Sequence, residues 1–320
     1  MAKQQGKNGD NKSQVTREVP RACSDELAAV EFLERQRWGS DDAVVCPHCK
    51  NGDVYKMADR ATGERNKRFL WRCKGCKQQF TVRVGTLLED SKIPLRHWCY
   101  GFWAACASKK GVSALQIKRQ TGLSYESALF MMHRIRFAMS SDPKNSPKLD
   151  GTVEIDETYV GGKPRNKGQG QATKSDRKTP VFALVQRDGK VRAWPIPRVT
   201  ASSLRQAIHD NVAKSAAIMT DESAVYRGLD ARFDGGHQTV NHSHDEYVRG
   251  NVHTNTVEGF FSFIKRGMYG TFHSVSKHHL HRYIDEFSFR YNTRKMEDGQ
   301  RVTLAIRSSQ GKRLTYRTTA

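Results

Sequence analysis

The chain has 320 residues, and its 54 lysines and arginines outnumber its 33 aspartates and glutamates, which gives a formal net charge of +21. This cationic excess predicts a polyanionic partner, most commonly nucleic acid; a basic protein without such a partner is the alternative. The sequence contains no run of about 18 apolar residues and begins with polar residues, so it predicts neither membrane insertion nor secretion. We therefore expect a cytoplasmic protein that binds nucleic acid.

The N-terminal region is expected to start with disorder. Residues 1–22 are rich in Lys, Asn, Gln and Gly and are predicted to form a disordered basic tail. A helix is predicted from Ser24, whose side chain can cap the first turn, and apolar residues follow at helical spacing. This helix leads into the first folded module, which we place at residues 23–90.

Two CxxC pairs, Cys46/Cys49 and Cys73/Cys76, lie in this module with 23 residues between them. Short strands are predicted within and after that interval, so the two pairs would meet at one end of a hairpin. Four thiolates at this spacing are typical of a structural zinc site, and we expect one Zn²⁺. A thioredoxin-like redox pair is the alternative, but it needs one CxxC in a βαβ setting.

Residues 91–140 are predicted to be helical. A helix at 94–108, a short helix at 113–120, a turn and a longer helix at 125–139 give the outline of a helix-turn-helix. Any three-helix bundle gives the same outline, so the prediction of DNA binding depends on the basic residues. The residues predicted to contact DNA here are Lys118, Arg119, Arg134 and Arg136. A polar linker is expected at 141–150.

An acidic strand follows the linker. Residues 153–160 read Val-Glu-Ile-Asp-Glu-Thr-Tyr-Val between Gly-containing turns, which predicts a strand. Alternation places Glu154, Asp156 and Thr158 on one face. An aspartate in mid-strand is unusual because burying its charge is costly unless a cation is present. The alternative is an edge strand with a solvated acidic face.

The rest of the chain predicts a meander, two long helices and a buried strand. Asp188-Gly189 marks a hairpin between two strands, a helix is predicted at 202–212, and the strand at 216–221 ends in Asp221. The helix at 254–267 carries an apolar stripe on one side and Glu258 and Lys265, seven residues apart, on another. Beyond the domain expected at 151–297, a basic tail is expected at 298–320.

This element order, β-β-β-α-β-α, predicts a ribonuclease H-like mixed sheet flanked by helices, so the fold class is multidomain α/β. Its first and fourth strands are parallel neighbours, which would bring Asp156 beside Asp221, while the late helix would add Glu258. Converging carboxylates repel one another unless divalent cations lie between them. Hard oxygen ligands select Mg²⁺ or Mn²⁺, and two such ions can support phosphodiester chemistry.

The sequence also resembles a known family. Its CPHC and CKGCKQQFTVRVGTLLEDSKIPLRHW segments, VEIDETYVGGK, the aspartate in IMTDES and the stretch from HTNTVEGFF to FSFRYN are similar to bacterial insertion-sequence transposases with a zinc ribbon before a DDE domain. The resemblance implies that Asp156, Asp221 and Glu258 bind the catalytic metals and that Lys265 contacts DNA. The neighbouring Arg266 is also predicted to contact DNA. Some members carry an amide in place of the third acid, which makes Asn255 the alternative third ligand.

We therefore expect a transposase that cleaves the ends of an insertion sequence and joins them to target DNA. Its expected partners are terminal inverted repeats, target DNA and further copies of itself on that DNA. Two other functions compete: a DNA-binding regulator derived from a transposase, and a nuclease on the same fold. The complete set of Asp156, Asp221, Glu258 and Lys265 argues against a regulator whose acidic domain is a relic.

Overall fold

The structure, a computed structural model, describes residues 14–141, 146–161, 178–240 and 248–315. The chain forms two compact units, one made of residues 1–139 and 295–320 and the other of residues 140–294. Among the described residues, no helix is both long and apolar enough to cross a membrane.

The first unit contains a set of helices around the predicted ribbon. The helices are α1 (Gln14–Ser24), α2 (Glu26–Trp38), α3 (Leu95–Ala107), α4 (Ala114–Thr121) and α5 (Tyr125–Met139). Helix α1 lies where the sequence predicted disorder, so that prediction is wrong for residues 14–22. Val19 and Ala22 on this helix are buried, which shows how a largely polar segment is held by a few apolar contacts. Asp25, not Ser24, caps α2, because its carboxylate accepts the Ala28 amide at 2.7 Å.

The ribbon is a three-stranded antiparallel sheet of β1 (Val54–Lys56), β2 (Trp71–Cys73) and β3 (Gln79–Phe80). Trp38 at the end of α2 packs its ring edge-on against Trp71 and Phe80. The indole of Trp71 also donates a hydrogen bond of 2.7 Å to the buried carboxylate of Glu34. Helix α2 therefore supplies part of the core that so small a sheet cannot build alone.

Part of the expected C-terminal tail is folded. Residues Asp298–Arg307 form the last helix of the chain, α9, which begins with a capping box. Its apolar residues Val302, Ala305 and Ile306 are buried, and Arg301 donates a 2.7 Å hydrogen bond to the Cys106 carbonyl of α3. This segment belongs to the core of the first unit, so a tail starting at residue 298 is wrong.

The second unit is a five-stranded mixed sheet with helices on both faces. Its strands are β4 (Thr152–Val160), β5 (Thr179–Gln186), β6 (Val191–Pro195), β7 (Ala217–Asp221) and β8 (His237–Val240), and its helices are α6 (Ala201–Asn211), α7 (Asn255–Gly267) and α8 (Leu280–Asn292). The strand order is β6-β5-β4-β7-β8. Strand β5 is antiparallel to β4 and β6, whereas β7 is parallel to β4 and β8. The predicted ribonuclease H-like arrangement is confirmed.

Two hydrophobic cores cover the two faces of this sheet. Val153 and Ile155 of β4 pack in a cluster with Leu204 and Ile208 of α6. Val181, Ala183 and Val185 of β5 pack in the other cluster, with the predicted α7 stripe and with α8; the stripe residues are Val257, Phe261, Ile264 and Met268. Glu154, Asp156 and Thr158, which alternate with Val153 and Ile155, therefore face the side of α7.

Two features at the edges of this sheet were not predicted. Strand β8 is short and only partly buried, so its sequence His-Gln-Thr-Val carries little strand signal. Leu149, at the end of the expected linker, is buried, pairs with Val212 and exchanges backbone hydrogen bonds with residues 211 and 213. The folded part of the second unit therefore begins before residue 151.

Candidate active site and zinc site

The four cysteines of the ribbon converge. Their sulfur atoms all lie within 4.8 Å of one another, and the Cys46–Cys76 and Cys49–Cys73 sulfur pairs are both 3.6 Å apart. Tetrahedral zinc with bonds of about 2.3 Å implies sulfur–sulfur distances of about 3.8 Å. The residues present therefore fit a structural zinc ion.

The surroundings of Cys49 favour the thiolate that zinc requires. The pKa of the Cys49 thiol is lowered to about 7, first by the Asn51 backbone amide and then, against burial, by hydrogen bonds from the other three cysteines. In the same cluster the Gln78 amide lowers the pKa of Cys76, but burial and then the competition of the other three thiols for negative charge outweigh it and raise that pKa. A divalent cation would remove this competition.

In the second unit, Asp156 and Asp221 lie on adjacent parallel strands. Val153 pairs with Ile218 and Glu154 with Met219, so continuing the register by two residues on each strand puts Asp156 level with Asp221. Adjacent strands lie about 4.8 Å apart. Asp221 is the last residue of β7, and its carboxylate accepts the Ser223 amide at 3.1 Å, which fixes the turn after the strand.

Helix α7 brings the third acid and the two predicted DNA contacts. Glu258 is exposed, and one of its oxygens accepts a 2.9 Å hydrogen bond from the Thr254 hydroxyl. Lys265 and Arg266 in the last turn are exposed. Asn255 is the exposed first residue of the same helix, so both candidates for the third ligand lie in its first two turns.

The electrostatics of Asp156 show how close these acids are. Its pKa is raised from 3.8 to about 7, mainly by burial and also by the negative charges of Asp221, Glu157 and Glu258, against the Glu157 amide, which lowers it. A carboxyl group with this pKa holds its proton near neutrality. The arrangement suits a bound cation, whose charge would favour the ionised form.

The carboxylates do not all converge on a single point. Across the ranges that the structure describes, only the four cysteines bring three or more potential ligand atoms within 4.8 Å. Two ions about 3.5–4 Å apart need a broader arrangement of ligands than one ion does. The oxygen donors of Asp156, Asp221 and Glu258 fit Mg²⁺ or Mn²⁺ by chemical type.

Two further carboxylates of β4 were missed as site residues. Glu154 is fully buried and accepts hydrogen bonds from the start of α7. Glu157 lies on the opposite face, where the Tyr226 hydroxyl donates a hydrogen bond to it. Burial, and after it the charge of Asp221, raises the pKa of Glu157, while Tyr226 lowers it. The sequence signal for these two residues was the presence of three acids, Glu154, Asp156 and Glu157, within four residues of one strand.

The four basic residues predicted around the helix-turn-helix divide into two pairs. Lys118 and Arg119 are exposed in the last turn of α4. Arg134 and Arg136 on α5 are buried, with 6% and 1% exposure, and Arg134 donates to the carbonyls of Leu87 and Glu89 at 2.7 and 2.9 Å. Their burial does not fit contact with DNA, because α5 directs that side into the core.

A zinc ribbon followed by a ribonuclease H-like unit with acids on adjacent parallel strands defines a class, the zinc-ribbon transposases. Residues 24–79 match the protein family described as "Transposase zinc-ribbon domain", and residues 148–292 match the family described as "ISXO2-like transposase domain". A Halobacterium salinarum protein, described as an uncharacterized protein in transposable element ISH50, is 30% identical over 278 residues, which are 83% of this chain and 90% of that protein. The chain belongs to this family of insertion-sequence transposases.

Two solved structures share weak similarity with the chain. One is the simian T-cell lymphotropic virus intasome in complex with PP2A regulatory subunit B56 gamma, at 14% identity and a TM-score of 0.27, covering 60% of this chain and 65% of that one. The other is the Mos1 strand transfer complex, at 13% identity and a TM-score of 0.27, covering 65% of this chain and 73% of that one.

Proposed function

We propose that this transposase cleaves DNA at the ends of its element and joins the freed 3′-hydroxyls to target DNA, with Asp156, Asp221 and Glu258 as the ligands of two Mg²⁺ or Mn²⁺ ions. The observation that carries the proposal is the register of β4 and β7, which puts Asp156 level with Asp221 on the face covered by α7. When bound, the two ions would activate a water or hydroxyl and stabilise the leaving oxygen.

The chain's own residues would hold and orient the reacting groups. Asp156 and Asp221 stand on rigid neighbouring strands, and the Thr254 hydroxyl orients Glu258. Lys265 lies seven residues beyond Glu258, about 10 Å along the helix axis, and would bind a phosphate of the DNA end. Terminal inverted repeats, target DNA and further copies of the chain remain the proposed partners.

A second DNA-contacting surface is proposed on the first unit. Lys118 and Arg119 are exposed there, and a cleft between the ribbon and α3 is rimmed by Lys67, Arg68 and Lys92. Among the described residues these three side chains have no hydrogen-bond or ion-pair partner. The one acid of this cleft, Glu26, is already used by the Leu95 and Arg96 amides at 2.7 and 3.1 Å. A phosphate backbone fits such a cationic surface.

The test is strand cleavage and joining with the element's own ends, taken from the DNA that flanks its gene. Asp156→Asn, Asp221→Asn and Glu258→Gln should each lower the rate by about a thousandfold or more, as expected for the removal of metal ligands worth several kcal/mol in the transition state. DNA affinity should stay the same or rise, because repulsion of phosphate decreases. Asp210→Asn, which removes an exposed acid of α6, is the matched control.

Asn255→Ala in the same assay separates the two candidates for the third ligand. An inactive Asn255→Ala with an active Glu258→Gln would reassign the ligand to Asn255. Wild-type cleavage by Asp156→Asn or Asp221→Asn would refute the assignment of that aspartate. A wild-type chain that binds the ends but neither cleaves nor joins them would favour a DNA-binding regulator.

A further inference from the structure

Glu154 is a wholly buried carboxylate on the same face of β4 as Asp156. Burying a carboxylate is costly unless its oxygens accept hydrogen bonds and its charge is offset. One oxygen accepts the amides of Thr256 and Val257 at 2.7 and 3.0 Å. The other accepts the Thr256 hydroxyl at 2.8 Å and Arg187 Nε at 2.6 Å, and His253 Nδ1 lies 3.3 Å away. Glu154 therefore joins the strand to the start of α7.

These contacts replace an ordinary helix cap. The first amides of a helix lack acceptors within it, and the side chain of the N-cap residue usually accepts from the second or third residue. At α7 the N-cap residue Thr254 makes no such bond, and its hydroxyl donates to Glu258 instead. Thr256 and Val257 are the second and third residues of the helix. Glu154 thus caps α7 from the neighbouring strand, where its negative charge also suits the helix dipole.

Arg187 completes this connection. Besides its bond to Glu154, it donates to the carbonyls of Asn251 and His253 at 2.7 and 3.0 Å. It therefore offsets the buried charge and also holds the segment that leads into α7. Both the approach to the helix and its first turn are tied to one side chain of β4.

We infer that Glu154 is a positioning residue for the catalytic site, which sets where Glu258 stands relative to Asp156. Glu258 directly follows Val257, whose amide Glu154 holds, and Asp156 lies two residues beyond Glu154 on the same face of the strand. The cap thereby fixes the distance between Asp156 on β4 and Glu258 on α7. This inference rests on the proposed function, in which both acids bind metal.

A double-mutant cycle on Mn²⁺ binding tests the inference without using catalysis. Bound Mn²⁺ is measured by electron paramagnetic resonance on the full chain for Glu154→Gln, Glu258→Gln and the double variant. Groups that orient metal ligands typically change metal affinity by about 10–100-fold, and we expect Glu154→Gln to weaken Mn²⁺ binding within that range. Because Glu154 acts through Glu258, the double variant should bind no more weakly than Glu258→Gln alone.

A matched control separates positioning from general stability. Glu286 on α8 is also fully buried and pairs with Arg290 at 2.6 Å, so Glu286→Gln removes a buried charge from a different helix of the same unit. It should leave Mn²⁺ affinity unchanged even if it lowers the melting temperature. DNA affinity and zinc content should stay at wild-type values in both Glu154→Gln and Glu286→Gln.

The outcomes distinguish this inference from the proposed function. Weak Mn²⁺ binding by Glu258→Gln, with wild-type binding by Glu154→Gln or additive losses in the double variant, would overturn the inference alone. Wild-type binding by Glu258→Gln would overturn the assigned ligand and the inference with it. If Glu154→Gln does not fold, Thr256→Ala, which removes only the hydroxyl bond to Glu154, replaces it under the same criteria, with a smaller loss expected.

Discussion

The two candidate metal sites of this chain are built in opposite ways. The ribbon site takes its ligands from two short turns, and its four sulfur atoms lie within 4.8 Å of one another. The carboxylate site takes its ligands from two strands and a helix that are distant in sequence, and burial together with the charges of its acids raises the pKa of Asp156 to about 7. The first is a compact set of soft ligands for a permanent ion. The second is a set of hard ligands that suits exchangeable ions.

The two sites also differ in the source of their stability. A ribbon with three short strands has a small core, so zinc would supply much of its folding free energy. The carboxylate site stands on a five-stranded sheet with a core on each face, so we expect this unit to fold without its metals. Loss of metal should therefore unfold one site and only inactivate the other.

The largest expected effect is loss of zinc. Structural zinc contributes about 10–16 kcal/mol in small zinc modules, so Cys46→Ser or Cys73→Ser should abolish binding of about one zinc per chain and unfold the ribbon. Elemental analysis and limited proteolysis of the first unit measure this. Cys23→Ser, which changes a half-buried thiol outside the cluster, is the control. Wild-type chain without zinc would contradict the assignment.

The second effect is a dependence of stability on pH. The folded chain keeps the Asp156 proton up to about pH 7, whereas the ordinary pKa of this group is 3.8. Between these values the unfolded chain ionises while the folded chain stays protonated, so the free energy of unfolding falls as pH rises, by about 4 kcal/mol at most, and the loss is complete above pH 7. Without added divalent cation, the melting temperature of the second unit should fall over this range, and Asp156→Asn should flatten the fall.

The same measurement has a clear opposing outcome. Equal pH dependence in wild type and Asp156→Asn would show that another group titrates. Added Mn²⁺ should reduce the wild-type fall, because an ion that binds only the ionised folded form stabilises it. Asp210→Asn should keep the wild-type fall between about pH 4 and pH 7, because the hydrogen bond from Gln206 lowers the pKa of the Asp210 carboxyl and its titration lies below this range.

The sequence predicted the sheet but not the contacts that align its acids. Hydrophobic periodicity located β4, β7 and the buried stripe of α7, and the CxxC spacing located the cysteine cluster. Nothing local shows that Glu154 caps a helix a hundred residues later, because the Thr256–Glu154 contact exists only after folding. Basic composition likewise cannot tell exposed Lys118 from buried Arg136, since the two differ only in which side of a helix faces the core.

A smaller effect is expected at the cationic cleft of the first unit. The triple change Lys67→Glu, Arg68→Glu and Lys92→Glu should weaken DNA binding and lower the slope of log affinity against log salt by up to about 0.9 for each phosphate that the cleft no longer neutralises. Zinc content should not change. The control reverses two exposed lysines outside the cleft, Lys109→Glu and Lys110→Glu. An equal loss of affinity in the control would show that the cleft has no special role.

The smallest effect, and the sharpest test of the carboxylate site, concerns Lys265. Seven residues turn a helix through about 700°, so Lys265 points within roughly 20° of Glu258. Among the described residues the Lys265 side chain has no hydrogen-bond or ion-pair partner that its loss would disturb. Lys265→Ala should therefore leave stability and Mn²⁺ affinity unchanged, lower cleavage only in part, and reduce the salt slope of binding to the element's ends by about one. Lys190→Ala, at an exposed lysine before β6, should change none of these. If Lys265→Ala keeps the wild-type slope and rate, this lysine is an ordinary surface residue, and the phosphate at the end of α7 must be held by Arg266 or not at all.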